Sequence, residues 1–234
     1  MYSSNSSRSR NASPLTMILM IIALLLTIPL AASGCRQSSA PEEEDNITSP
    51  TPQQGQQQQK PQQLLAAYFP LTVGSTWSYL GEGNEYASFT RKVVFARGRR
   101  GQLEEDNGGT VIATVYEITD DAIIRVYHSG EAYEVGDLLD RIKDSESDQV
   151  VILRTPMQVG TTWQNNDHEK RTITATDAVV ETPAGKFENC IVVKIEGEDS
   201  TLHEYFKEGI GMVLREFESE GYRVTSTLEE CDIK

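Results

Sequence analysis

From Leu64 onward, apolar and polar residues alternate in short runs. YASFTRKVVFARG from Tyr86, GTVIATVYEITDDAIIRVYHSGEAYEV from Gly109, VVILR from Val150, RTITATDAVVE from Arg171, NCIVVKIEG from Asn189, LHEYF from Leu202, MVLREFE from Met212 and YRVTSTLEE from Tyr222 are rich in β-branched and aromatic residues and have strand lengths. Turn chemistry separates them: Asn107-Gly108-Gly109, Asp120-Asp121, Ser129-Gly130, Pro183-Ala184-Gly185, Glu198-Asp199 and Glu220-Gly221. No stretch sustains a helical period. LLAAYF from Leu64 offers a helical turn, and GDLLDRIKDSES from Gly136 reads either as a turn or two of helix or as a polar loop. Strands joined by short turns, without crossover helices, predict an all-β antiparallel meander. About ten or more such strands curl into a curved sheet, a half-barrel or a barrel.

One stretch is written twice. PLTVGSTW at Pro70–Trp77 returns as PMQVGTTW at Pro156–Trp163, with five of eight positions identical and the chain's two tryptophans closing the two copies. Pro70 and Pro156 fix φ and lack a donor, which suits a position just before a strand. Gly74 and Gly160 permit a sharp turn. Trp77 and Trp163 then anchor the strand that follows, each worth about 2 to 3 kcal/mol once buried. The alternative is an exposed pair gripping a ligand such as a sugar. The repeat predicts two similar halves, about 68–153 and 154–234, sharing one core and one continuous sheet.

The pattern differs before Leu64. MYSSNSSRSRNASP carries Arg8 and Arg10 without an acid, and an apolar run from Leu15 to Ala32 leads to Ser33, Gly34 and Cys35. This is the layout of an export signal, too short and wrongly flanked for a membrane span. AASGC resembles the lipobox of bacterial lipoproteins, with Ala32 standing where leucine is more usual. The resemblance implies that Cys35 receives a diacylglycerol and becomes the first residue of the mature chain, so residues 1–34 are expected to be a signal peptide. Residues 35–63 are poor in large apolar side chains and predict a disordered tether, about 30 Å in root-mean-square span. Residues 64–234 are the expected extracytoplasmic domain.

Charge narrows the partners. The full chain has 21 basic and 35 acidic residues; cleavage before Cys35 removes two arginines, leaving 19 − 35 = −16. Such a surface repels nucleic acid and anionic headgroups, so membrane attraction falls to the acyl chains on Cys35. Cys190 and Cys231 are expected either to pair, closing a loop of 231 − 190 = 41 positions worth about 4 kcal/mol, or, for Cys190 in NCIVVKI, to remain a buried thiol.

Catalytic chemistry is not written in any motif. His128, His168 and His203 lack strand-spaced partners, so no metal site is predicted. Asp144, Glu146 and Asp148 read as a solvated loop, as do Glu42 to Asp45. There is no GxSxG elbow, and GIGM at Gly209–Met212 lacks the context of a phosphate loop and predicts a bend or bulge. No catalytic residue and no cofactor are assigned.

YFPLTVGSTWSY, ETPAGKFENCIVV and EYFKEGIGMVLREF together resemble uncharacterised bacterial lipoproteins, mostly of Gram-positive type, that open on a PLxxGxxW segment and carry a TPxGxF hairpin and a GxGxV strand. The resemblance spans Leu64 to Glu230 and implies a β-rich envelope domain without known catalytic residues. Similar curved sheets occur in LolA-like and lipocalin-like carriers, an analogy of fold. The expected function is a lipid-anchored extracytoplasmic module that binds an envelope protein or an apolar ligand. The alternatives are a structural or regulatory envelope protein without a ligand, and a hydrolase, which would need the histidines and nearby acids to converge.

Overall fold

The computed structural model describes residues 61–142, 149–166 and 169–234. The chain divides into two compact units, Met1–Gln54 and Gly55–Lys234, and all described residues belong to the second. The expected signal peptide, Cys35, the tether up to residue 60, Asp144, Glu146, Asp148 and His168 lie outside the described residues.

One helix, α1 (Pro61–Tyr68), precedes twelve strands: β1 (Thr76–Glu82), β2 (Phe89–Arg97), β3 (Arg100–Asp106), β4 (Val111–Ile118), β5 (Ala122–Ser129), β6 (Val150–Arg154), β7 (Thr162–Asn166), β8 (Glu169–Thr182), β9 (Gly185–Glu196), β10 (Thr201–Lys207), β11 (Gly211–Ser219) and β12 (Tyr222–Asp232). The helix takes in Pro61, Gln62 and Gln63, which the sequence assigns to the tether. The segment from Gly136 forms turns rather than a helix through Ile142. β3, RGQLEED, has no apolar alternation to announce it. It is held as a strand between β2 and β4 by its neighbours' ladders and by ion pairs from Arg100 to Glu117 and from Glu105 to Arg91.

All strands join one antiparallel sheet in the order β6-β5-β4-β3-β2-β1-β12-β11-β10-β9-β8-β7. The expected meander is therefore present, and it curls into a nearly closed barrel. The first and last strands pair along seven residues, from Thr76 opposite Asp232 to Glu82 opposite Thr225. The open seam falls instead between β6 and β7, which are consecutive in the chain, so each expected half supplies six neighbouring strands. Side chains bridge this seam. Asn165 accepts from Val151 N at 2.9 Å and donates to Val151 O at 3.2 Å, Trp163 Nε1 donates to Val151 O at 3.0 Å, and Arg171 donates to Ile152 O at 3.3 Å. The edge strand's backbone is thereby satisfied without a ladder.

The inner face carries the main core, including Phe89, Val93, Leu103, Ile123, Leu153, Ile173, Val193, Phe206, Val213 and Leu228, with Leu65 and Phe69 of the helical segment packed into it. Phe69 meets Tyr116 at 4.6 Å between ring centroids. A second, smaller core lies on the outer face, where Ala132, Leu138 and Leu139 cover Ala113, Val115 and Val126. Gln102, fully buried, fastens this cover: its amide donates to Gly136 O and accepts from Leu138 N. The β8–β9 hairpin runs beyond its neighbours, and Ala184 N donates to Leu228 O on β12.

Strand alternation puts α1, both ends of the described domain and the turns at 98–99, 119–121, 155–161, 183–184 and 208–210 at one end of the barrel. The turns at 83–88, 107–110, 197–200 and 220–221 lie at the other, which is called the distal end below.

Candidate functional site

The two octets share the backbone hydrogen bonds of their turns. Gly74 and Gly160 have φ of 89° and 91°, a region that side chains disfavour and glycine accepts. Gly74 N donates to Val93 O and Gly160 N to Ile173 O, both at 2.9 Å; Ser75 N donates to Thr72 O and Thr161 N to Gln158 O, both at 3.1 Å. Each turn thus pins the start of its strand to the next strand of the same half. Pro156 follows a cis peptide bond and Pro70 does not. Both tryptophans are buried, as anchors should be, and both indole N–H groups are used: Trp77 donates to Ile210 O at 2.7 Å and Trp163 to Val151 O at 3.0 Å. Gly211, beside Ile210, has φ of 97° and opens β11, in keeping with the bend expected at GIGM.

The repeat goes further than the octet. Across the ladder, Trp77 stands opposite Arg91 and Trp163 opposite Arg171, and two residues beyond each arginine sits the residue that receives the glycine's bond, Val93 or Ile173. Both arginines point into the barrel and are at least nine-tenths buried. A buried guanidinium needs a carboxylate, and each has one. Arg91 binds Glu105 at 2.6 Å, while Arg171 binds Glu169 at 2.8 Å and Glu204 at 3.3 Å. Glu204 also receives Arg215 at 3.1 Å. Aromatic faces line the cations, with Arg91 5.5 Å from the Phe89 centroid and 5.9 Å from that of Tyr79, and Arg215 5.8 Å from Phe89. Burial alone would raise the carboxyls of Glu105 and Glu204, but the arginines outweigh it, chiefly Arg91 at Glu105 and Arg215 with Arg171 at Glu204, and hold both below the ordinary range. Burial pushes the Tyr79 hydroxyl up to about 12, and it donates to Met212 O.

None of these charged residues is singled out by a sequence motif, yet a signal exists. Arg91 lies between Phe89 and Val93, Glu204 between Leu202 and Phe206, and Arg215 between Val213 and Phe217, so each charge holds an apolar-parity position within a strand.

The core beside this network is filled. The space enclosed by Phe69, Pro70, Trp77, Tyr79, Arg91, Leu103, Gly211 and Met212 amounts to about 10 Å³, hardly a water molecule. The larger concavities are on the surface. One of about 600 Å³ separates the β9–β10 and β11–β12 turns and is walled by Glu196, Glu198, Asp199, Glu218 and Glu220, with Arg223 opposite.

The remaining predicted residues do not assemble. Cys190 and Cys231 are free thiols, so the pairing alternative is not realised in this structure; Cys190 is buried and donates weakly to Phe187 O at 3.7 Å. Burial raises both thiols. His128 lies on the inner face of β5 opposite Thr114, and His203 on β10 between Lys194 and Glu216. The two are therefore on well-separated strands. Among the described residues, no group of three or more His, Cys, Asp and Glu is placed to hold a metal.

No family model matches the sequence, and no curated protein does. Two solved structures are similar to it. One is a lipoprotein candidate from Parabacteroides distasonis, at 12% identity and a TM-score of 0.41; the other is an exported-protein candidate with a YmcC-like fold from Bacteroides fragilis, at 14% and 0.43. Each alignment covers 70% of this chain and 98% of the other. Such a likeness carries no functional information.

Proposed function

We propose that the protein is an extracytoplasmic lipoprotein, held to the membrane through a lipidated Cys35, whose barrel binds an envelope protein by its surface and performs no catalysis. The anchor rests on the basic, apolar and AASGC segments and on the polar tether. The choice of a protein partner over an apolar ligand rests on one observation: the enclosed space beside the Arg91 network, between Trp77, Tyr79, Leu103 and Met212, is about 10 Å³ where a carrier needs several hundred. The distal rim offers contact area: Tyr86 and Tyr222 are about half exposed, and Tyr222 is braced by hydrogen bonds to Gly83 O and from Asn84. Rigid, amphipathic tyrosines of this kind suit protein contacts. Cys35→Ala is expected to release the protein from the membrane fraction. A photoreactive analogue at Tyr222 in the anchored protein is expected to capture a discrete protein-sized adduct in the native envelope. Retention of Cys35→Ala in membranes, or a co-purifying lipid in place of the adduct, contradicts the reading.

A further inference from the structure

β5 carries a second charged position that the network does not neutralise. Tyr116 and Arg125 are opposed across the β4–β5 ladder, as are Ile118 and Ile123, which puts Arg125 on the inner face. The next inner residue would ordinarily be Tyr127. A bulge at Val126 shifts the count, so Val115 stands opposite Tyr127 and Thr114 opposite His128. The bulge thus turns His128 to the same face as Arg125, three residues earlier. Bulges re-aim side chains in this way, and are over-represented next to functional sites.

Arg91, Arg171 and Arg215 each touch a carboxylate within 3.3 Å. Arg125 has no ion pair or hydrogen bond among the described residues, and its Nε is sealed from solvent without a partner, the sole buried side-chain nitrogen or oxygen among them in that state. A sealed, unbonded guanidinium N–H is costly to maintain. Its environment is cationic as well: burial first and then the charge of Arg125 push the His128 imidazole down, with Glu105 opposing. With the Arg91–Glu105 pair balanced, Arg125 leaves one positive charge over. His128 itself is exposed and close to the distal end of β5, so this part of the inner face communicates with solvent.

We infer that Arg125, with His128 beside it, forms an oxoanion-binding site at the distal mouth of the barrel, taking a carboxylate or phosphate group of a ligand. The two terminal amino groups of a guanidinium present paired N–H donors that match two oxygens of either group, so that an anion bound there offsets the charge whose Nε side is sealed. A positive inner mouth in a strongly acidic molecule also selects for the charged end of a ligand while the outer surface repels other anions. The inference stands independently of the lipid anchor.

The test uses the mature chain in mild detergent. Sodium phosphate and sodium acetate are titrated against sodium chloride of equal ionic strength, with melting followed in wild type, Arg125→Gln and the surface control Arg99→Gln. A saturable rise in Tm of about 2 °C or more is expected in wild type and in Arg99→Gln and is absent in Arg125→Gln. Whichever anion saturates at the lower concentration identifies the source as carboxylate or phosphate. A second readout does not depend on the variant's folding: NMR titration of His128 should give a higher midpoint in the presence of the anion, because the anion offsets the charge of Arg125. Equal effects of chloride, a shift retained in Arg125→Gln, or a His128 midpoint indifferent to anions would each overturn the site.

Discussion

Glu204 receives two arginines at once, Arg171 at 3.3 Å and Arg215 at 3.1 Å; Glu204 and Arg171 are nearly sealed from solvent, and Arg215 is partly exposed. Removing its charge leaves Arg215 without its partner and Arg171 with Glu169 alone. Glu204→Gln is therefore expected to cost about 3 to 5 kcal/mol, the scale on which a broken buried pair is felt, and urea denaturation of the folded domain would measure it. A loss below about 1 kcal/mol would mean that water reaches the pair. These charges are legible in the sequence only as exceptions to alternation. The tryptophans were legible because they are rare and repeated. Their arginine partners were hidden, because 14 residues separate Trp77 from Arg91 and 8 separate Trp163 from Arg171, so the two copies fall out of step when compared linearly.

Among elements, the seam between β6 and β7 is where the sheet depends on side chains rather than on a ladder. Asn165 spans it with a bond to each polar group of Val151. Asn165→Ala strands the part-buried N–H of Val151 and weakens the carbonyl's bonding, a change worth about 1 kcal/mol. Hydrogen exchange should register it locally, with faster exchange at Val151 and little change along the β1–β12 ladder. Uniform acceleration across all strands would instead mean that the seam opens only with global unfolding. Most strands were visible as apolar alternation, and the turns between them as Gly, Asn and Asp clusters. β3 was not, because its inward positions include Glu105 and a glycine, and its pairing energy comes from neighbours distant in sequence. The outer cover at 132–139 was equally obscure: Leu138 and Leu139 look like half a helix until Gln102 is seen to hold them as a loop.

For the molecule as a whole, a net charge of −14 in the full chain coexists with a buried network in which Arg91, Arg171 and Arg215 are paired with Glu105, Glu169 and Glu204. That contrast predicts how stability responds to acid. Glu105 and Glu204 titrate below the ordinary value in the folded state and near 4.5 once unfolded. The unfolded chain therefore takes up protons first as the pH falls. Their stabilising contribution is complete above about pH 4.5 and is lost as the pH drops through the folded-state values. Melting followed by circular dichroism between pH 7 and pH 3 should show a decline confined to the acid side, shallower in Glu204→Gln. A decline that begins near neutrality would point to a different group.

The meander and its two halves followed from strand spacing and one repeated octet, whereas barrel closure did not, since only the pairing of β1 with β12 determines which edges remain open. Native mass spectrometry of the protein extracted from its own envelope in mild detergent distinguishes a lipid-anchored domain with a packed core from a ligand carrier. The expected species is a mature chain beginning at Cys35, carrying acyl mass that survives denaturation and no further lipid that dissociates on activation. An unmodified chain, or a lipid-sized ligand released on activation, would contradict it.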